Sequence, residues 1–229
     1  MLQGAIETPV FASRPKWRRR PGAKALAIGL FTLLALVALT TWLSSRTLIM
    51  NVGNEQQMLS RGIYADWAKG AVIVLIRHAE RCDRSPNPCL GDPGGITVEG
   101  SQAAADVGQG IQRLGLEQAQ VLSSPTVRTQ QTAHFMFGDA VATQDWLNRC
   151  DRDFADTAFK HKTEGHNLVL VTHSGCIDYV ERQLNVPGGE RSSAYASALF
   201  ISMGSQGKAR ILGQMNANQW RTLAAGAGQ

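Results

Sequence analysis

"AVIVLIRHAERCDRSPNPC" (residues 71–89) decides the reading of the fold. Val72–Ile76 is a short, unbroken apolar run rich in β-branched residues, bounded on both sides by polar sequence. Such a run predicts a strand buried on both faces, as in a parallel sheet covered by helices. It ends abruptly in Arg77 and His78, followed by Glu80, Arg81, Asp83 and Arg84. Charge concentrated at the exit of a buried strand predicts a polar site at that strand end rather than a solvated turn.

The same grammar recurs along the chain. Residues 97–114 predict a helix opened by Thr97, with Glu99 in its first turn. "AQVLSS" (119–124) predicts a second strand, and Pro125 suits the first position of a helix running to about Phe137. "AVAT" and "DWL" hint at a third strand. "NLVLVTH" (167–173) predicts a fourth, followed by a helix from Ser174 to about Leu184. "ASALFISM" (196–203) and "ARILGQM" (209–215) predict closing antiparallel strands. Strands alternating with helices predict an α/β fold, a three-layer α/β/α sandwich around a mainly parallel mixed sheet.

The formal charge of +5 belongs to the N-terminus. Residues 1–24 hold six cations and one anion; subtracting these from the chain's 23 and 18 leaves 17 of each in the remainder. The body of the chain is neutral, which argues against a nucleic-acid partner. Between Lys24 and Arg46 lie 21 uncharged, mostly apolar residues, long enough as a helix to span about 30 Å of hydrocarbon. The expected organisation is a basic cytoplasmic tail (1–24), a transmembrane signal anchor (25–45), a linker with a short helix (46–69), the folded domain (70–220) and a C-terminal tail (221–229). The basic flank places the domain outside the cytoplasm. A cleaved leader would export it equally, although Trp42 and Leu43 sit where a small-residue cleavage site belongs.

Three polar clusters fall at the C-terminal ends of three expected strands: "RHAER" (77–81), "SSPTVRT" (123–129) and "THSG" (172–175). Ligands of open α/β sheets bind at those ends. Converged, the clusters gather Arg77, Arg81, Arg128, His78 and His173, with no metal-ligand set and no cofactor motif. Planar guanidinium forks match phosphate oxygens bidentately, so the constellation suits a phosphoryl group. Neighbouring cations disfavour imidazolium, and a neutral histidine can act as a nucleophile.

"LIRHAE", "SSPTVRTQQTA" and "VTHSG" resemble the three ordered signature segments of the histidine phosphatase superfamily, whose fold is that of phosphoglycerate mutase. More narrowly, "RHAERCDRSPNPCL", "GITVEG" and "VRTQQTA" resemble the periplasmic lipopolysaccharide core heptose(II)-phosphate phosphatases. The resemblance implies that His78 accepts the phosphoryl group, with Arg77, Arg128 and His173 lining the phosphate pocket and Arg81 completing an R-H-x-x-R form. It implies a phosphomonoester substrate, lipopolysaccharide core heptose phosphate, and an inner-membrane protein with its domain in the periplasm. Rival readings are an exported phosphohistidine or small-molecule phosphatase of the same fold, and an anchored phosphate-binding module without activity. A phosphoglycerate mutase is disfavoured, because glycolytic substrates lie across the membrane.

Two departures from the superfamily pattern stand out. Ala79 replaces a common glycine, and Arg149 occupies the place of a leaving-group acid, leaving Asp153, Asp151 and Glu80 as candidates. Arg81 and Arg84 equally fit ion pairs with Glu80 and Asp83. His134, His161 and His166 read as structural or exposed. The four cysteines of an exported domain predict disulfides. Cys82 and Cys89 flank one short proline-containing loop, which leaves Cys150 for Cys176. Cys82 and Cys89 are also too far apart for a usual zinc knuckle.

Overall fold

A computed structural model describes residues 22–204 and 207–226. Most of the basic tail, and the last three residues, lie outside them. Two compact units divide after Ser45. The first is a single helix, α1 (Ala23–Ser44), with a mean hydropathy of 2.2 and no buried residue. Its 22 residues span about 33 Å at the usual rise. The hydroxyls of Thr32, Thr40, Thr41 and Ser44 donate back to helix carbonyls, which satisfies them without water. By length and composition α1 can cross a bilayer.

The second unit contains α2 (Glu55–Ser60), α3 (Ile63–Ala68), β1 (Val72–Arg77), α4 (Val98–Gln112), β2 (Ala119–Ser123), α5 (Val127–Phe137), β3 (Ala142–Thr143), α6 (Phe154–His161), β4 (Asn167–Thr172), α7 (Ser174–Gln183), β5 (Ala198–Met203), β6 (Ala209–Met215) and α8 (Ala217–Gly226). One six-stranded sheet runs in the order β3-β2-β4-β1-β5-β6. Its first four strands are parallel; β5 and β6 close the edge antiparallel. This is the expected three-layer sandwich.

The period-2 geometry of strands explains why the apolar runs are continuous. Val72, Val74 and Ile76 face one core with Val169, Val171 and Phe200, under α3, α4, α5 and α8. Ile73 and Leu75 face the other with Leu168, Leu170 and Ile201, under α6 and α7. Every residue of β4 is buried.

The segment 46–69, expected as a linker with a short helix, packs as part of the domain. The Thr47 N–H donates to the Asn185 carbonyl at 3.1 Å, and the Val52 N–H to that of Gln214 at 3.0 Å. The chain here runs against β6 so closely that a Cβ on Gly213 would stand 2.4 Å from Val52 Cγ1. Val52, Met58, Ile63 and Trp67 are buried in the core. The buried Asn167 amide ties this segment to the sheet, accepting from the Val72 N–H and donating to the Trp67 carbonyl. The C-terminal tail, expected from 221, is instead largely the helix α8, whose Trp220 is 2% exposed. "DWLN" (145–148) is a 3₁₀ turn rather than strand, and Pro125 precedes α5 instead of opening it. α6 had no counterpart in the sequence reading.

Helix α4 approaches α5 at Gly108, where a Cβ would lie 2.3 Å from the Met136 carbonyl oxygen. In an open helix interior Gly→Ala stabilises by up to about 1 kcal/mol. Here Gly108→Ala is expected to cost about 1–3 kcal/mol through overpacking, seen as a lower midpoint in denaturant unfolding of the detergent-solubilised chain.

Candidate active site

The register of the central strands builds the site. Arg77 pairs with Thr172 across β1 and β4, so the next residue of each strand, His78 and His173, emerges side by side. Their ring centroids are 5.4 Å apart. The His78 N–H donates to the Thr172 carbonyl at 2.9 Å, closing the ladder just below the site. On the other flank of β4, the Ser124 N–H donates to Val171 O at 2.9 Å, which places Ser124 beneath His173. α5 and α7 begin at this sheet end and bring Arg128 and Ser174 with them. The positive end of α7 therefore adds to an anion-attracting field.

The result is a cavity of about 510 Å³ lined by His78, His173, Arg77, Arg81, Arg84, Arg128, Asn148, Cys150, Ser174 and Tyr195. It brings together all five histidine and arginine positions expected from the sequence, and among the described residues no carboxylate lines it.

Hydrogen-bond partners fix the imidazole tautomers. His78 Nδ1 lies 2.8 Å from the Ala79 carbonyl, an acceptor, and so carries the proton. Its Nε2 then holds a lone pair and makes no hydrogen bond among the described residues. His173 is arranged the other way. Its Nδ1 accepts from Arg128 Nη2 at 3.2 Å, and its Nε2 faces Ser124 Oγ at 2.9 Å, to which it donates. Both rings are buried, at 3% and 8% exposure. Burial is the main cause that pushes His78 down to about 3; the Ala79 hydrogen bond opposes this, and His173, Arg128 and Arg77 reinforce it. Burial, then the Arg128 and Arg81 guanidiniums, push His173 down to about 4. Both are neutral at physiological pH.

The arginines are held in different ways. Arg77 Nη1 donates to the Ser193 carbonyl at 2.7 Å, and its guanidinium lies 3.9 Å from the Tyr195 ring centroid. The buried Nε atoms of Arg77 and Arg128 have no hydrogen-bond acceptor among the described residues. Arg81 differs, because it forks onto Asp83 through Nε and Nη2.

The candidate acids lie elsewhere. Asp151 and Asp153 line a separate depression with Arg149 and Trp146. Glu80 accepts from Asn87 Nδ2 and Thr97 Oγ1, which hold its carboxyl below its ordinary range and staple the loop after β1. Ala79 sits fully buried in the core, its N–H donating to Thr132 Oγ1. Both expected disulfides, Cys82–Cys89 and Cys150–Cys176, are formed. His134, His161 and His166 are exposed and away from the cavity. Tyr195, Ser124 and Asn148 had not been singled out. Ser124 at least lay within the quoted "SSPTVRT", whereas a tyrosine in a loop before a strand carries no signal.

No family model matches the chain. The lipopolysaccharide core heptose(II)-phosphate phosphatase of Salmonella arizonae is 35% identical over 154 residues, covering 65% of this chain and 75% of its own length. The chain belongs to this family. The protein of the same name from Escherichia coli O139:H28 is 39% identical over 114 residues, 48% of this chain and 56% of that one. Among solved structures, the protein histidine phosphatase SixA complexed with tungstate superposes with a TM-score of 0.52 at 16% identity, covering 64% of this chain and 97% of that one. This likeness shows the fold alone. The family's fold is thus that of the histidine phosphatases, and its members bear the name of phosphoric monoester hydrolases.

Neither cavity histidine is expected to titrate between pH 5 and 8, which imidazole NMR shifts will read. The unfolded chain binds two protons near pH 6.5 that the folded site refuses until about 4 and 3. The contribution of these two histidines to stability should therefore be present above pH 6.5 and be lost progressively on acidification below it; the buried Glu181 carboxyl, pushed up to about 7, contributes in the opposite sense.

Proposed function

We propose that the protein hydrolyses a phosphomonoester through a phosphohistidine at His78. The substrate is the heptose phosphate of lipopolysaccharide core, reached by a domain that α1 anchors on the periplasmic face of the inner membrane. The observation that carries the mechanism is the hydrogen bond from His78 Nδ1 to the Ala79 carbonyl. It leaves Nε2 unprotonated in a guanidinium-lined cavity, while both nitrogens of His173 are engaged. The names of the relatives support the substrate. The basic flank and apolar length of α1 support the location.

In the first step the Nε2 lone pair attacks phosphorus. The bond to the sugar oxygen breaks, and its electron pair leaves with that oxygen. With no carboxylate in the cavity, the departing oxygen takes its proton from water. In the second step water attacks phosphorus, the N–P bond breaks, and its pair returns to Nε2. The water proton passes to the phosphate product. Arg77 and Arg128 stabilise the equatorial oxygens in both steps, through donors already fixed and desolvated. The carboxylate-free cavity also favours a second reading, a phosphohistidine or aryl-type substrate whose leaving group needs little protonation.

Mass spectrometry of lipid A–core separates the two readings. Cells lacking the protein, or carrying only His78→Ala, should retain one phosphate that cells with the wild type lose. Acid-quenched enzyme should carry the phosphoryl label on His78; label on His173 would refute the assignment. If core phosphorylation is unaffected while phosphohistidine is cleaved, the second reading holds.

Arg128→Ala is expected to raise the barrier by about 2–4 kcal/mol, like the loss of one oxyanion donor. Arg128→Lys should recover only part of this in steady-state turnover, because an ammonium lacks the planar fork.

A further inference from the structure

We infer that the site recognises a second anionic group on its substrate, phosphate or carboxylate, and that Arg84 is the residue that binds it. This deepens the phosphatase reading by naming the class of substrate: phosphomonoesters that carry another negative charge near the scissile group.

The inference starts from charge. Four guanidiniums line the cavity. One carboxylate, Asp83, neutralises one of them, Arg81, through a bidentate contact. Both histidines are neutral. Three positive charges therefore face a phosphomonoester dianion, and one is left over. Arg128 touches His173, and Arg77 and Arg128 both act electrostatically on His78, so the surplus resides at the rim.

Arg84 is the residue placed to hold it. It lines the same cavity, yet it is exposed, and its side chain makes no hydrogen bond or ion pair among the described residues. The nearest acid in the chain, Asp83, is bound by Arg81 through a bidentate contact, and it feels Arg84 only through Coulomb attraction, without a hydrogen bond. Glu80, the other acid of the loop, is occupied by Asn87 and Thr97.

Its backbone is not free to wander. Arg84 ends a 3₁₀ turn, Cys82–Arg84, inside the loop closed by the Cys82–Cys89 disulfide. Backbone bonds from Cys82 N to Gly95 O, Leu90 N to Ile96 O and Val98 N to Pro88 O fasten both arms of that loop to the start of α4. An arginine held on a fixed loop loses less entropy on binding an anion than one on a mobile loop. A solvated arginine serving only solubility needs neither the staple nor the cavity.

The test is calorimetry on the full chain in detergent with three non-hydrolysable ligands of one chain length: propylphosphonate, 3-phosphonopropionate and propane-1,3-bisphosphonate. A charge-assisted contact is expected to make at least one of the doubly anionic ligands bind about tenfold more tightly than propylphosphonate. In Arg84→Gln that ratio should fall to about one. Preference for 3-phosphonopropionate identifies a carboxylate as the second group; preference for the bisphosphonate identifies a phosphate. A wild-type ratio near one, or a ratio that survives Arg84→Gln, overturns the inference. Because binding is read without turnover, these outcomes are independent of whether lipopolysaccharide core is the substrate.

Discussion

The parallel pairing of β1 with β4 is the constraint on which the site depends. Each strand is buried on both faces, so neither can slip by one residue without turning its side chains into the opposite core. The register that seats Val74 beside Val169 also seats Arg77 beside Thr172. His78 and His173 then have no choice but to leave the sheet together. The 5.4 Å spacing of the two imidazoles is thereby secured by the hydrophobic effect acting along the strands.

Burial does a second service at the strand ends. It removes the charge from the histidines and leaves it on the arginines, whose guanidiniums ionise far above neutrality. The cavity thus holds neutral imidazoles beside permanently charged guanidiniums. The two tautomers follow from what each ring touches: a carbonyl for His78, a guanidinium for His173. Ser193 and Tyr195 hold Arg77 from the loop that precedes β5, so the antiparallel edge of the sheet contributes to the site as well as the parallel centre.

Much of this was legible in the sequence, for identifiable reasons. The runs Val72–Ile76 and Leu168–Val171 announce strands because unbroken apolar stretches of that length have few other uses, and the polar clusters after them mark the site. The pairing Cys82–Cys89 was legible because a short proline-containing loop can close on itself. Residues 46–69 were misjudged because an extended segment joining a sheet edge, such as Thr47–Val52, has neither helical nor strict alternating periodicity. Helix α8 was underestimated because its contacts, Trp220 fitting over Gly110 and Arg221 pairing with Asp106, match distant positions that no local pattern displays. Glu80, Asp151 and Asp153 were plausible acids by proximity in the chain, but side-chain direction excludes them from the cavity, and direction is set by tertiary packing.

The two disulfides join cysteines that are consecutive in the chain, with sequence separations of 7 and 26. If the domain is exported behind its N-terminal anchor, as proposed, Cys82 and Cys89 reach the oxidising side well before Cys150 emerges. The first bridge can form while no competitor is present, and the last two cysteines then have only each other. Of the three possible connectivities, this one can be reached by order of arrival, without reshuffling. On the proposed export route, the arginine loop and the rim of the cavity would take their final covalent form in the order in which the chain emerges.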